Sequence, residues 1–152
     1  MIHQIYMQEA IKEAKKAFEE DEVPVGVVVV NKRKIIARAH NQVECLSDPT
    51  AHAEMIAITQ ATNTLGNKWL SQASIYVTIE PCSMCAGALV LARVKNIIYG
   101  SDDPKAGACG SVINIVNNKK LNHRIKVTKG ILREDCSRLL REFFKKKRLK
   151  AG

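Results

Sequence analysis

A chain of 152 residues, 46% hydrophobic and 26% charged, can bury one sizeable core but not two, so a single domain over 1–152 is expected. The start, "MIHQIYMQEAIKEAKK", lacks the basic head and apolar run of a secretory leader, and no apolar stretch reaches the roughly 20 residues of a membrane-spanning helix. A cytoplasmic protein with no membrane partner is therefore expected, and in that reducing compartment its five cysteines are ligands, catalysts or core residues rather than disulfides.

The net charge of +9 is unevenly placed. Lys/Arg stand to Asp/Glu as seven to eight over residues 1–51, three to two over 52–100, and fourteen to five over 101–152. A field of one sign in the last third attracts polyanions, phosphate backbones first among them, although a solvated helix face carries the same signature.

In chain order, residues 3–20 place Tyr6, Met7, Ala10, Ala14, Ala17 and Phe18 at helical spacing, with Pro24 just beyond. "VPVGVVVV" and "KIIARAH" predict two strands of a hairpin around the polar turn "NKRK". A helix is expected from Thr50 or Ala51 to about Thr62, followed by the loop "NTLGNK", the strand "SIYVTIE", the helix "CSMCAGALVLAR" and the strand "NIIYG". The loop "SDDPKAGACG" then leads to a short helix near 111–117, a weaker strand "IKVTKGI" and a basic C-terminal helix over 133–148 with apolar Leu139, Leu140, Phe143 and Phe144. Strands separated by helices of this length predict an α/β fold whose partly parallel sheet carries helices on both faces.

Two short stretches carry the chemistry. In "EPCSMCAGA", Cys82 and Cys85 are three apart on one helix face, with Pro81 expected in the first turn. A helix start also favours the thiolate that binds metal. Alone, such a pair could equally be a redox couple, half of a zinc knuckle or two core cysteines. In "DPTAHAEMIAI", His52 and Glu54 are two apart, which on a regular helix turns them about 200° from each other. They can share a site only if His52 lies in an irregular first turn, for which Asp48 or Thr50 could cap and Pro49 blocks backward extension. Alone, this pair is ordinarily solvated helix surface.

Together the halves supply one His and two Cys. Three protein ligands leave a tetrahedral zinc one position for water, which marks a catalytic site. Glu54 is then a spare carboxylate for proton transfer. A structural site would need a fourth ligand, for which Cys45, Cys109, Cys136, His40 and His123 are available.

The pairing of "HAE" with "PCSMC" resembles the signature of the zinc-dependent nucleoside and nucleobase deaminases, the cytidine/deoxycytidylate deaminase superfamily. Within it, "DPTAHAEMIAI", "TIEPCSMCAGALVLARV", "YGSDDPKAGACGS", "LNHRIKVTKGIL" and "LLREFFKKKR", in that order, resemble the bacterial tRNA-specific adenosine deaminases from about Met7 to Arg148. That resemblance implies a three-layer α/β/α cytidine-deaminase-like fold around a five-stranded mixed sheet, a homodimer, and one Zn2+ per subunit held by His52, Cys82 and Cys85, with Glu54 shuttling protons. It implies that Asn41 and the backbone of Ala53 contact the base. It also implies that Asp103, Lys105, Asn122, His123, Phe143, Phe144 and Arg148 surround the anticodon stem-loop of a tRNA. Cys109 departs from the family, standing where a small residue is usual.

The expected reaction is hydrolysis of adenosine to inosine, with release of ammonia, at the wobble position of a tRNA, by analogy an arginine tRNA. Two rivals remain: a deaminase of a free base or nucleoside such as guanine or cytosine, and a non-catalytic zinc-stabilised RNA-binding module. Phe143, Phe144 and Tyr99 could stack on bases, but their spacing equally suits the core.

Overall fold

Four consecutive valines decide where the sheet lies. Successive strand residues point to opposite faces, so a strand apolar at every position must be covered on both. The structure, a computed structural model, describes residues 1–151, and in it Val27 to Val30 are all buried. The elements in order are α1 (Ile2–Glu19), β1 (Gly26–Asn31), β2 (Lys34–His40), α2 (Val43–Leu46), α3 (Ala53–Leu65), β3 (Ser74–Ile79), α4 (Ser83–Leu91), β4 (Asn96–Ser101), β5 (Lys126–Lys129) and α5 (Arg133–Ala151).

Val27 and Val29 pack with Ala53, Ala57 and Ala61 of α3 and with Ala86 and Leu89 of α4. Val28 and Val30 pack with Met7, Ala10 and Ile11 of α1 and with Cys136 of α5. The inner strands alternate in the same way: Ile75, Val77, Ile97 and Tyr99 join the first cluster, Tyr76 and Ile98 the second. The sheet order is β2-β1-β3-β4-β5, with β2/β1 and β1/β3 antiparallel and β3/β4 and β4/β5 parallel. The expected α/β/α layering around a five-stranded mixed sheet is thus borne out. Among the described residues no helix is long and apolar enough to cross a membrane.

The β1–β2 connection has two central residues, Lys32 and Arg33, both at positive φ (51° and 64°) between the paired Asn31 and Lys34. Two left-handed residues make the turn whose twist matches the strands it joins. Side chains other than glycine carry a steric cost there.

Several expectations need correction. No helix forms near 111–117. Gly110 is at φ 132°, Cys109 bridges to Asn114, and Asn114 Oδ1 accepts the amide of Asn117 at 3.0 Å, so local side-chain bonds take donors a helix would need. The helix expected from Thr50 or Ala51 begins only at Ala53, and runs to Leu65, where Gly66 at φ 62° ends it. The unforeseen α2 fills four residues after β2. Pro81 lies one residue before the N-cap of α4 rather than in its first turn.

Gly26 sets how closely α1 approaches the sheet, since a Cβ there would lie 2.0 Å from the Ala10 carbonyl oxygen and 2.3 Å from the Ala14 nitrogen. Gly26→Ala should therefore lower stability by about 3 kcal/mol, the upper range for overpacking, seen as a lower urea midpoint in circular dichroism. An unchanged midpoint would mean that α1 can shift without cost.

Candidate metal centre and active site

The antiparallel β1/β3 pairing brings the end of β3 beside the start of β1, where the Gly26 amide donates to Thr78 Oγ1 at 3.1 Å. β2 ends at the same edge, with His40 opposite Gly26. The chain leaves β3 into α4 and leaves β2 through α2 into α3, so both helices start at this end of the sheet.

The local chain explains why α3 starts late. Asp48 Oδ1 accepts both the amide and the hydroxyl of Thr50, at 2.8 and 2.7 Å, and the Ala51 amide donates to the Asp48 carbonyl at 3.1 Å. Asp48 therefore closes a turn ahead of the helix instead of capping it. His52 is left as N-cap in an extended conformation (φ −72°, ψ 150°), and Cys82 caps α4 likewise (φ −75°, ψ 177°). With His52 outside the helix and Glu54 inside, the two-residue offset no longer separates them.

The structure brings His52, Cys82 and Cys85 together. His52 Nδ1 lies 3.6 Å from Cys82 Sγ and 3.5 Å from Cys85 Sγ, and all three donor atoms fall within 4.8 Å of one another. Zinc bonds of about 2.3 Å to sulfur and about 2.0 Å to nitrogen, set at the tetrahedral angle, give a nitrogen–sulfur edge of about 3.5 Å. The donor triangle therefore fits the ion. Among the described residues no further His, Cys, Asp or Glu joins this cluster. His40 is paired with Glu20 and Glu13, His123 bonds the Val94 carbonyl at 2.7 Å, Cys136 packs under Gly100 in the other layer, and Cys45 is exposed. Cys109 is buried and its amide donates to Glu80.

The two thiols are unequal. Cys82 is lowered to about 5, first because the Cys85 thiol hydrogen-bonds to it, with backbone amides of the helix start and His52 adding to the effect. Cys85 is raised, first because it gives that hydrogen bond, then by burial and by the nearby Glu54 carboxyl. Glu54, buried in the first turn of α3, is raised to about 7 by burial above all, with the negative charge of Cys82 adding.

A cleft of about 550 Å³ opens over these groups. Its walls include His52, Ala53, Glu54, Cys82 and Asn41, and it continues past Asp103 to Phe143, Phe144 and Lys147 of α5. Asn41 is buried at the end of β2, its amide on the Val25 carbonyl at 3.1 Å. Phe143 is buried edge-on against Phe18, while Phe144 is 45% exposed. Lys105 and Arg148 lie outside the cleft lining, Lys105 exposed on the loop after β4 and Arg148 on α5. Asn122 and His123 are not gathered here: they precede β5, whose start pairs with the start of β4, at the far end of the sheet from Cys82.

Sequence reasoning missed two buried acids that line the same cleft. Glu22 accepts the amides of Glu44 and Cys45, at 2.9 and 2.7 Å, and so ties α2 to the segment before β1. Glu80, at the end of β3, receives bonds from the loop after β4. The available signal was an acid flanking an apolar strand, in "DEVPVG" and "TIEPC", because acids are rarely buried without partners.

The sequence profile of the MafB19-like deaminase family matches residues 1–148. The chain therefore belongs to the deaminases, the class its layered sheet and His/Cys/Cys cluster define. Curated relatives include a tRNA-specific adenosine deaminase of Bacillus subtilis (strain 168), 48% identical over 97% of this chain and 91% of its own length. Another, from Aquifex aeolicus (strain VF5), is 50% identical over 94% of each. A solved structure from a study of A-to-I editing by tRNA:A34 deaminases at the wobble position superposes with a TM-score of 0.86, at 40% identity over 90% of this chain and 99% of that one. Within the deaminases, the chain is a member of the tRNA-specific adenosine deaminase family.

Cys85→Ala removes one corner of the donor triangle and Glu54→Ala removes none. Elemental analysis after dialysis should find zinc near one equivalent in wild type and Glu54→Ala, and well below half in Cys85→Ala. Zinc lost with Glu54 would make that carboxylate a ligand.

Proposed function

We propose that this protein hydrolyses the wobble adenosine of a tRNA anticodon loop to inosine, in the cytoplasm, with an arginine tRNA as the substrate by family analogy. The observation that carries the reading is one continuous cleft, running from the buried Glu54 beside the His52/Cys82/Cys85 triangle to the basic helix α5. A free base would occupy only the inner end. An RNA loop would place its base in the cleft, whose charged lining is largely acidic, and its phosphates on the Lys145–Lys150 stretch beyond it. An unpaired loop base can reach such a pocket, whereas a base stacked in a duplex cannot.

His52, Cys82 and Cys85 would hold one Zn2+ per subunit, which supplies Lewis-acid activation of a water at neutral pH. Glu54 accepts a proton from the attacking water and delivers it to adenine N1, which draws electron density from C6. The water oxygen adds to C6, the resulting C6 hydroxyl gives its proton through Glu54 to the exocyclic amino group, the bond from C6 to that nitrogen breaks as the C6 carbonyl forms, and ammonia leaves. Burial keeps Glu54 next to the reacting atoms and away from bulk solvent, so the same carboxyl serves both transfers. Asn41, at the rim of β2, offers a side-chain amide to the base edge, and the Ala53 backbone borders it. Asp103 and Phe144 border the cleft and would receive the neighbouring nucleotides, with Lys105 and Arg148, outside its lining, meeting phosphates beyond it. Phe143 acts from beneath by fixing α5, and Asn122 with His123 would meet RNA only where it extends past the far end of the sheet.

The functional unit in this reading is a homodimer. Met84, Gly87, Ala88 and Leu91 recur along one side of α4 at helical spacing, Leu91 is 80% exposed, and a Cβ added at Gly87 would meet nothing within 4 Å. A stripe beside the site that is half-buried at Met84, Gly87 and Ala88 and exposed at Leu91 suits a second copy.

Incubation with transcribed arginine tRNA, followed by sequencing, should reveal inosine at the wobble position, and Glu54→Gln should slow that conversion by about 10³-fold, as expected for losing a general acid–base. Activity on free nucleosides, indifferent to salt and to RNA, would support the small-substrate rival instead. Removing residues 145–152 should weaken tRNA binding and reduce its log–log salt slope by about 0.7 for each phosphate the tail no longer neutralises, with the circular dichroism spectrum retained. An unchanged slope would return the tail to a merely solvated face.

A further inference from the structure

Glu80 is 1% exposed, yet it has no part in the chemistry derived above. It stands two residues before the ligand Cys82, and its carboxylate turns toward the loop that follows β4. Both oxygens are fully engaged by that one loop. Oε1 accepts the Asp103 amide at 3.0 Å and the Ser111 hydroxyl; Oε2 accepts the amides of Cys109 at 2.9 Å and Ser111 at 3.1 Å. Gly107 passes directly over the carboxylate, where a Cβ would lie 2.4 Å from its carbon. The loop is also joined to the metal-ligating turn, through a bridge between Cys82 and Gly107 and a 2.9 Å bond from the Ala108 amide to the Pro81 carbonyl.

The outer half of this loop is built on Asp103. Its Oδ1 accepts the amides of Lys105 and Ala106, at 3.0 and 3.1 Å, and its carbonyl accepts the Gly107 amide at 2.9 Å. Asp103 and Ala106 line the cleft. A chain of bonds therefore runs from Glu80 through Asp103 to the cleft rim. Residues 102–111 contain no helix or strand apart from single bridges, and besides Glu80 their path is held by the burial of Ala108 and Cys109 and by single backbone bonds such as that from the Ile115 amide to the Ala108 carbonyl at 2.9 Å.

We propose that Glu80 is a positioning residue: by gathering four donors from residues 103–111 it sets the loop against the metal-ligating turn, and so fixes the rim that receives the nucleotides flanking the target base. The RNA half of this statement rests on the tRNA substrate proposed above. Exchange of Glu80 for glutamine is a sharp probe, because the four donors are divided two to each oxygen. A glutamine NH2 turned to the Oε2 side faces the two amides of Cys109 and Ser111, and turned to the Oε1 side it faces the Asp103 amide while the Ser111 hydroxyl can reverse and accept from it, so at least one backbone amide loses its acceptor in either orientation while size is conserved.

The test compares wild-type holoenzyme with Glu80→Gln and Ser111→Ala by amide hydrogen exchange, zinc content and steady-state kinetics on an anticodon stem-loop. In Glu80→Gln at least one of the amides of Asp103, Cys109 and Ser111 should exchange about tenfold faster or more, with protection in β1 and β3 and the zinc content unchanged. KM for the stem-loop should rise about tenfold while kcat stays within about threefold, the signature of weakened binding rather than impaired chemistry. Ser111→Ala, which keeps the three backbone donors, should shift the same quantities in the same direction by about two- to threefold. Unchanged loop exchange in Glu80→Gln overturns the proposal, as does exchange in a folded protein that speeds as much in β1 and β3 as in the loop, which would make Glu80 a structural residue only. Should Glu80→Gln fail to fold, Ser111→Ala decides by the same two readouts. The exchange arm uses no RNA: an inert wild type would overturn the substrate reading and the RNA half of the proposal, while the anchoring half stands or falls on exchange alone.

Discussion

Two sulfurs and a ring nitrogen meet within 4.8 Å at the point where two helices begin. Their mutual electrostatics explain why that meeting place is poised for a cation. One thiol is driven toward the thiolate because the other donates to it, and the donor is held protonated by the same bond and by its burial beside Glu54. Metal binding to thiols is an exchange of protons for metal, so a divalent ion held here would replace the proton that the two sulfurs share. Extended backbone at both N-caps makes the geometry possible, by letting His52 and Cys82 point out of their helices while Glu54 and Cys85 point in from the first turn.

The sheet exists, in functional terms, to bring those two helix starts together. An all-parallel arrangement would put a helix between β1 and β2; here the hairpin leaves β2 ending beside the start of β1 and the end of β3. One end of the sheet therefore collects Asn41, the α3 start and the α4 start within one cleft. Besides Glu54, two buried carboxylates among those that line it, Glu22 and Glu80, serve the walls. Glu22 pins α2, and Glu80 pins the loop after β4, each by accepting backbone amides that no helix or strand would satisfy.

What was legible in the sequence follows from how local each signal is. The valine run announced a strand covered on both faces, and the CxxC spacing announced one helix face, because both depend on periodicity within a few residues. The His52–Glu54 offset was legible as a condition, an irregular first turn, since a regular helix would have separated them by about 200°. Asp48, Pro49 and Thr50 do create that irregularity, but the turn closed by Asp48 moves the helix start to Ala53, a difference of local bonding that propensity does not resolve. The partners of Glu22 and Glu80 lie 22 to 31 residues away, beyond any periodic pattern. The helix expected near 111–117 failed for a related reason: Ser111 turns to Glu80 and the asparagines satisfy their own backbone. Asn122 and His123 were grouped with the cleft by resemblance alone, and the chain path puts them at the sheet's other end.

The central claim is that three protein donors, from two helix starts, hold a zinc ion whose remaining position is left to solvent. X-ray absorption at the zinc edge of the purified protein addresses it most directly. The account predicts two sulfur scatterers at about 2.3 Å and two light-atom scatterers at about 2.0 Å, of which only one shows the outer-shell scattering of an imidazole. A third sulfur or a second imidazole would contradict it, because the ion would then be closed by protein and could activate no water.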